Sequence, residues 1–495
     1  SRSAREIAAA LDPTTIELLA RLLSRALDRM FDSFDVDGEG LAKAKELYAE
    51  GPVVFVPNHK SHADYLILSH ILYHNGMTLP HIAAGINLEF WPLGPIFRRG
   101  GAYFIRRAFR DNPLYKAVLE CYLEVLIKEG YSQEFFIEGG RSRTGKLMKP
   151  RKGMLTMLSA AASRAGVRNL RFIPVSITYD RVIEQKSYER ELAGGAKEKE
   201  RTRSLFGLTK FLRPQRGRYG SIYVRFGEAV AAPKEHDDPA AIDEAAYRIC
   251  HEINRCAVVT PPALAACALL AKAHRGVTRK RLTENWDVLL SYLSAKGVTL
   301  SERMREDPSS AMEEALAILT AARLISPRDD AVMPFFAIEE GRRVPLSLFK
   351  NGVVHFFTTI AVVSALLLCS DKKGIPPSFE ELLSDFDGCR GLLAHEFRFA
   401  TRMGLDVHVG AAVNFLVSRG AVGRGDDGRL SIRRESSWVC ELFASQIMPF
   451  VEALSTAMRH VTERMTDACE ERELLYAMMR TGQDLLLLDY VRYRE

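Results

Sequence analysis

His59 and Asp64 lie five residues apart in the run Pro57-Asn58-His59-Lys60-Ser61-His62-Ala63-Asp64-Tyr65-Leu66. An imidazole and a carboxylate at that spacing, across a turn between a strand and a helix, can fold back onto each other. The carboxylate then holds the ring in one tautomer, and the other ring nitrogen is left to take a proton. No serine or cysteine need join them if the nucleophile is a hydroxyl of the substrate. A second reading of the same residues is a helix N-terminus, with Ser61 as its cap and Asp64 at its third position, favoured by the helix dipole.

Three further clusters follow. In Gly100-Gly101-Ala102-Tyr103-Phe104-Ile105-Arg106-Arg107 an apolar strand ends in two guanidinium groups. Neighbouring residues of a strand point to opposite faces, so one of Arg106 and Arg107 at most faces a shared pocket directly. In Glu134-Phe135-Phe136-Ile137-Glu138-Gly139-Gly140-Arg141-Ser142-Arg143-Thr144-Gly145-Lys146 a strand runs into a glycine-rich loop with three cations, Arg141, Arg143 and Lys146. Glycines expose backbone N–H groups and guanidinium forks match phosphate oxygens, so this loop is expected to bind a small phosphorylated substrate. Glu138 is suited to accept hydrogen bonds from substrate hydroxyls or to hold an arginine. The last cluster, Phe172-Ile173-Pro174-Val175-Ser176-Ile177-Thr178-Tyr179-Asp180, reads as a buried strand forming an apolar wall.

Gly140 to Lys146 also reads G-x4-G-K, close to a P-loop. The next residue is Leu147 rather than the serine or threonine that holds magnesium, and Pro150 interrupts the helix a P-loop should open. Nucleotide triphosphate hydrolysis is set aside on those grounds.

The elements that must position these groups alternate from about 51 to 230. Strands are predicted at 52–56, 81–84, 101–105, 134–137, 171–177 and 221–226, with helices at 62–75, 112–129 and 153–165. That rhythm predicts an α/β domain, a mixed sheet flanked by helices with its functional groups at strand ends. Residues 184–220, charged and rich in glycine and arginine, read as an excursion from the sheet. After about 240 helical patterns dominate, at 241–257, 263–273, 309–325, 352–369, 376–386, 408–419 and 436–467, with no repeat at a fixed period. The expected organisation is an N-terminal helical segment (1–50), an α/β catalytic domain (51–235) and an α-helical C-terminal domain (236–495).

Bulk properties exclude little. The 495 residues are 47% hydrophobic and 26% charged, and the net charge of +6 suits an anionic substrate or a membrane surface without implying nucleic acid. Residues 276–330, opened by Arg279-Lys280-Arg281, resemble a small helix-turn-helix unit, but a solvated basic edge is the favoured reading and no nucleic acid is expected. Eight scattered cysteines without a CxxC pair predict reduced thiols in a cytosol-facing protein, with neither a disulfide framework nor structural zinc. Residues 1–31 read as an amphipathic helix rather than a secretory signal. Asn351 to Ser370 carries no formal charge; a buried helix is favoured there over a spanning one.

Taken together and in this order, the clusters resemble the four blocks of the glycerolipid acyltransferase superfamily, and more narrowly the bacterial membrane-bound glycerol-3-phosphate acyltransferases. The resemblance runs from about 51 to 230 through HKSHADYL (59–66), GINLEF (85–90), GAYFIRR (101–107), FFIEGGRSRTGK (135–146) and FIPVSITYD (172–180). It continues through the helical half, in Ile253-Asn254-Arg255 and Lys350-Asn351-Gly352. The bacterial family usually carries a much longer region ahead of its His–Asp block.

The resemblance implies that His59 is the general base and Asp64 its orienting partner. It implies that Arg106 and Arg107 help hold glycerol phosphate, and that Glu138, Gly139, Arg141 and Arg143 bind its phosphate and hydroxyls. Pro174 falls in the block linked to the acyl-donor side. The implied reaction moves a long-chain acyl group from acyl-CoA or acyl-carrier protein to the sn-1 hydroxyl of sn-glycerol 3-phosphate, giving lysophosphatidic acid for phospholipid synthesis. No metal or other cofactor is expected. A peripheral or monotopic place on a phospholipid surface, at the cytoplasmic face of the cell membrane, is expected. Dihydroxyacetone phosphate or a lysophosphatidate as acceptor, or an inert phosphate- or nucleic-acid-binding protein, are the competing readings.

Overall fold

Four successive apolar residues, Val53 to Val56, can all be buried only in a strand covered on both faces. The computed structural model has that arrangement; it describes residues 2–106, 112–192, 219–271, 276–328, 333–339, 341–399, 404–464 and 471–487. Eight strands form one sheet: β1 (Ser33–Val36), β2 (Val53–Pro57), β3 (His81–Gly85), β4 (Ala102–Ile105), β5 (Gln133–Glu134), β6 (Arg171–Tyr179), β7 (Ser221–Phe226) and β8 (Val230–Ala231). Their order is β1-β7-β6-β2-β5-β3-β4, with β8 beside β6. β2 runs parallel to both β5 and β6, while β7 and β8 run antiparallel to β6, so the sheet is mixed.

Helices α1 (Arg2–Ile7), α2 (Pro13–Met30), α3 (Gly38–Glu50), α4 (Asp64–His74), α5 (Leu93–Arg99), α6 (Pro113–Lys128), α7 (Gly153–Arg164), α8 (Gln185–Leu192) and α9 (Pro239–Arg255) complete this part of the chain. Several begin at a side-chain cap followed by proline: Asp12 for α2, Asn112 for α6 and Asp238 for α9. Each such cap contributes about 1 kcal/mol. Alternation along β2 divides the core. Val54 and Val56 pack with Leu119, Leu123, Leu155 and Leu158 of α6 and α7, whereas Val53 and Phe55 pack with Leu27, Leu41, Ile67 and Leu68 of α2, α3 and α4.

The chain divides into two compact units, Ser1–Thr260 and Pro261–Glu495. The first extends past the expected boundary at 235 because α9 buries Ile242, Ala245, Ala246, Ile249, Cys250 and Ile253 in the sheet's core. It also takes in residues 1–50. Ser33–Val36 is a strand in parallel register with Ser221–Val224, not part of a helical segment, and Ile7 is fully buried in the same core as α6. Strand β5 is shorter than the predicted 134–137, although the Phe135 N–H still donates to the Phe55 carbonyl at 3.2 Å.

The second unit is mostly helical, and its topology repeats where its sequence has no period. β9 (Gly276–Thr278) precedes helices Arg279–Ala295 and Pro308–Ala321, and β10 (Ile325–Arg328) and β11 (Phe335–Ile338) close an antiparallel sheet in the order β10-β11-β9. Further on, helices Phe379–Leu393 and Leu405–Ser418 are followed by the hairpin β12 (Val422–Arg424) and β13 (Leu430–Ile432), and Leu430 N–H donates to Pro377 at 2.8 Å. Both second helices end alike. Arg323 (φ 58°) and Gly420 (φ 66°) are left-handed, and the following amides, Leu324 and Ala421, donate back to Leu319 and Leu416, each at 3.0 Å. The basic start of 276–330 is an exposed edge: Arg279 and Lys280 are exposed, Arg279 meets the equally exposed Glu313, and Arg281 meets Glu284 and the Trp438 ring.

The uncharged stretch from Asn351 forms a short turn and then the helix Thr358–Lys373, whose Ile360, Val362, Val363 and Leu367 are buried. Among the described residues no helix is long and apolar enough to cross a membrane.

Candidate active site

β2, β5 and β6 are parallel neighbours, so their carboxyl ends open on one edge of the sheet, where α/β folds place ligands. The His–Asp turn leaves β2, the glycine-rich loop leaves β5, and α8 follows β6. Asn58 ties the turn to β6: its amide side chain accepts from Ile177 N–H at 2.7 Å and donates to the Ile177 carbonyl at 3.0 Å.

Helix α4 starts at Asp64 itself, with Ala63 at the cap position and no side-chain cap bond. Asp64 therefore does not serve as a third-position charge on the dipole. Its carboxylate, 0% exposed, turns back over the loop, where Oδ2 lies 3.1 Å from His59 Nδ1 and accepts from Lys60 N–H at 2.6 Å and Ser61 N–H at 2.8 Å. Oδ1 accepts from the Tyr179 hydroxyl. The carboxylate thus selects the tautomer with a proton on Nδ1, and Nε2 is the nitrogen left for proton transfer. The imidazole stacks on Phe136, with centroids 3.8 Å apart and planes at 17°. This contact fixes the ring's second face.

The third cluster braces the same residue. Glu138 Oε1 accepts the His59 N–H at 2.6 Å and Oε2 accepts the Met148 N–H at 2.9 Å, while Ser142 N–H donates to the His59 carbonyl at 2.7 Å. Gly139 makes the turn possible, since its φ is +64° and a Cβ there would lie 2.9 Å from Arg151 Cγ. Burial pushes the Glu138 carboxyl up to about 8, against the pull of the two backbone N–H groups and of Lys60. Burial likewise lowers the Lys60 ammonium, opposed by Glu138 and Asp64. Glu134, fully buried near Asp64, is raised well above the usual carboxylate range, by burial first and by Asp64 second. No helix follows Gly145-Lys146 before α7 at Gly153, so the loop lacks the form of a P-loop.

Arg141 approaches the His–Asp turn through α8. Its guanidinium donates to the Tyr188 hydroxyl at 3.3 Å, and that hydroxyl donates to the Lys60 carbonyl at 2.8 Å. Glu184 lies 3.9 Å from the same guanidinium and accepts from Ser61 Oγ at 2.7 Å and His62 N–H at 2.8 Å. The Arg141 side chain is 7% exposed, so an anion reaching it meets a nearly dry cation. Arg143 and Lys146 lie half-buried on the same loop, where the Lys146 carbonyl accepts from Ser142 Oγ.

The second cluster is placed differently. The Arg106 guanidinium pairs with Glu6 at 2.6 and 2.8 Å and stands over Tyr115, so it faces the N-terminal helix. Arg107 lies outside the described residues, as does most of the 184–220 excursion. Pro174, in β6, pairs in register with Val56 of β2 and accepts the Gly227 N–H at 2.8 Å.

Sequence reasoning missed Tyr179, Glu184 and Tyr188. Tyr179 was visible inside FIPVSITYD but read as wall; the signal was a polar end on an otherwise apolar strand. Glu184 and Tyr188 carried no signal, because their partners in the His–Asp turn are more than 100 positions away in the chain. The geometry also answers which amides are engaged: those of Asn58 through Ala63 donate to Val175, Glu138, Asp64, Asp64, Glu184 and Ser61 in turn.

An imidazole so held by a carboxylate can take a proton from a hydroxyl. The family model described as "Glycerol-3-phosphate acyltransferase C-terminal region" matches residues 188–495, and the one described as "Acyltransferase" matches residues 39–178. A glycerol-3-phosphate acyltransferase of Shewanella loihica is 32% identical over 450 residues, covering 86% of this chain and 54% of that one. Its counterpart in Shewanella baltica is 33% identical over 440 residues, covering 84% and 52%. The chain thus spans about half the length of the curated relatives it matches. A crystal structure of the 1-acyl-sn-glycerophosphate (LPA) acyltransferase PlsC from Thermotoga maritima shares 19% identity over 48% of this chain and 79% of that one, at a TM-score of 0.29. That overlap is too slight to weigh. The first family model alone accounts for more than half of the residues, and the chain belongs to the glycerol-3-phosphate acyltransferase family.

Proposed function

We propose that this chain transfers a long-chain acyl group from a thioester, acyl-CoA or acyl-carrier protein, to the 1-hydroxyl of sn-glycerol 3-phosphate. The observation that carries this reading is the His59–Asp64 pair at 3.1 Å with the Arg141 guanidinium held against the same turn. Arg141, with Arg143 and Lys146, grips the phosphate, and that fixes where the hydroxyl lies. His59 Nε2 takes the hydroxyl proton as the oxygen attacks the thioester carbonyl. The tetrahedral oxyanion collapses, the C–S bond breaks, and the imidazolium returns its proton to the departing thiolate. Asp64 stabilises the imidazolium meanwhile.

The oxyanion is met by a group outside residues 58–63, whose amides are already engaged. No step calls for a metal or a covalent acyl-enzyme. The lipid product suits a peripheral place on a phospholipid surface, at the cytoplasmic face of the cell membrane.

The test is thiol release from acyl-CoA and from acyl-carrier protein, with glycerol 3-phosphate, dihydroxyacetone phosphate or lysophosphatidate as acceptor, with and without phospholipid vesicles. Glycerol 3-phosphate is expected to give the fastest release, and His59→Ala to abolish it in a folded protein. Faster release with either other acceptor assigns the acceptor anew, and near-normal turnover by folded His59→Ala removes His59 from the mechanism.

A further inference from the structure

Asp64 has two carboxylate oxygens with unequal duties. Oδ2 meets the imidazole and two amides of its own loop. Among the described residues Oδ1 is met by the Tyr179 hydroxyl, 115 positions away in the chain at the end of β6. A carboxylate can rotate about its terminal torsion in a broad, nearly two-fold well. Three donors hold Oδ2 from the side of the loop, and the Tyr179 hydroxyl holds the opposite oxygen from the sheet, so the plane is pinned at both ends.

We infer that Tyr179 is a positioning residue for the proton-transfer pair, acting through Asp64 and touching neither substrate. Its ring is anchored independently of that bond. Tyr179 pairs in register with Ile222 of β7, and its ring lies 6.2 Å from that of Phe31 within the core formed by α2 and α4. The sheet therefore shares with the loop in fixing the Asp64 carboxylate, and through it the imidazole, one face of which packs on Phe136. The hydroxyl also withdraws charge from Asp64, which tempers how strongly the carboxylate holds a proton on the ring. Burial and the neighbouring Asp64 hold the phenol well above its ordinary range, so it stays a neutral donor. The other titratable groups around the pair are Lys60, Tyr65, Glu134, Glu138, Glu184 and Tyr188. None of them donates to Oδ1 among the described residues.

The inference rests on His59 being the base, and the experiment separates the two. Steady-state thiol release is measured for the whole chain, Tyr179→Phe and His59→Ala across pH. Phe keeps the ring and removes one oxygen. We expect kcat to fall roughly 10- to 100-fold, the worth of a hydrogen bond to a charged group. The KM for glycerol 3-phosphate and for the thioester should stay within about twofold, since binding groups are untouched. The acidic limb of kcat/KM should move to higher pH, because more carboxylate charge then faces the imidazole. A merely structural tyrosine would lower melting temperature without moving that limb.

Should Tyr179→Phe not fold, 3-fluorotyrosine at position 179 keeps the donor, makes it more acidic, and should move the limb to lower pH. An unmoved limb with wild-type kcat in either variant overturns the inference. If His59→Ala retains turnover, it is the assignment of the base that falls instead.

Discussion

The Glu138 carboxylate spans the His59 and Met148 backbone N–H groups, at 2.6 and 2.9 Å, and so joins two loops that leave neighbouring strands. The sequence suits it to accept from substrate hydroxyls or to hold an arginine; in the structure each of its oxygens also accepts one of these amides. Glu138→Gln presents one acceptor and one NH2 to two donors, which leaves one donor facing another. Where the carboxyl is ionised, above about pH 8, we expect a fall in kcat larger than any rise in KM. Steady-state kinetics check this. A rise in KM for glycerol 3-phosphate alone would restore Glu138 as a substrate ligand.

The same carboxyl predicts a pH dependence. Its folded value is raised from 4.5 to about 8, so the folded state binds the proton more tightly than the unfolded chain does. Its contribution to stability is complete below about pH 4.5 and is lost as pH rises through about 8. Melting temperature measured across that window should decline more steeply in the wild type than in Glu138→Gln. Parallel slopes would assign the decline to other groups.

Arg141 and Arg106 should separate in kinetics. Arg141 lies beside the His–Asp turn, 7% exposed, with Glu184 and Tyr188 as its partners there, whereas Arg106 pairs with Glu6 and faces the N-terminal helix. Arg141→Ala is expected to raise the KM for glycerol 3-phosphate roughly 10- to 100-fold, with little change for the thioester. Arg141→Lys should recover only part of this, since an ammonium lacks the guanidinium fork. Arg106→Ala should change that KM much less. Equal effects of Arg141→Ala on both substrates would mark a structural arginine.

The repeated topology of the second unit predicts opposite effects at equivalent positions. Arg323 occupies the left-handed conformation that Gly420 occupies in the other copy. Arg323→Gly removes a Cβ penalty of about 1–2 kcal/mol against a glycine entropy cost of about 0.5–1 kcal/mol, for a net gain of up to about 1.5 kcal/mol. Gly420→Ala, with open space around its Cβ, should lose about 1 kcal/mol from backbone strain alone. Calorimetry of the two variants reads both signs.

Much of this protein follows from local order in the chain. Apolar runs placed β2 and β6, because a strand buried on both faces is apolar at most positions, although β6 also buries Ser176 and Thr178. The His–Asp turn was legible because its partners are five positions apart and the loop between them is short. Glycine and arginine in one loop point to an anion site for the same local reason, and the Arg141 variants test it. Tertiary structure alone decided which groups hold these residues. Tyr179 reaches Asp64 across 115 positions, Glu184 reaches His62 across 122, and Arg106 turns to Glu6 across 100. It also decided that Ser33–Val36 is a strand and that α9 belongs with the sheet, since the amides of one and the apolar face of the other find partners only after distant segments have packed. A short polar side chain encodes a capacity to bond, and the fold chooses the partner by deciding which donors and acceptors lose their water together.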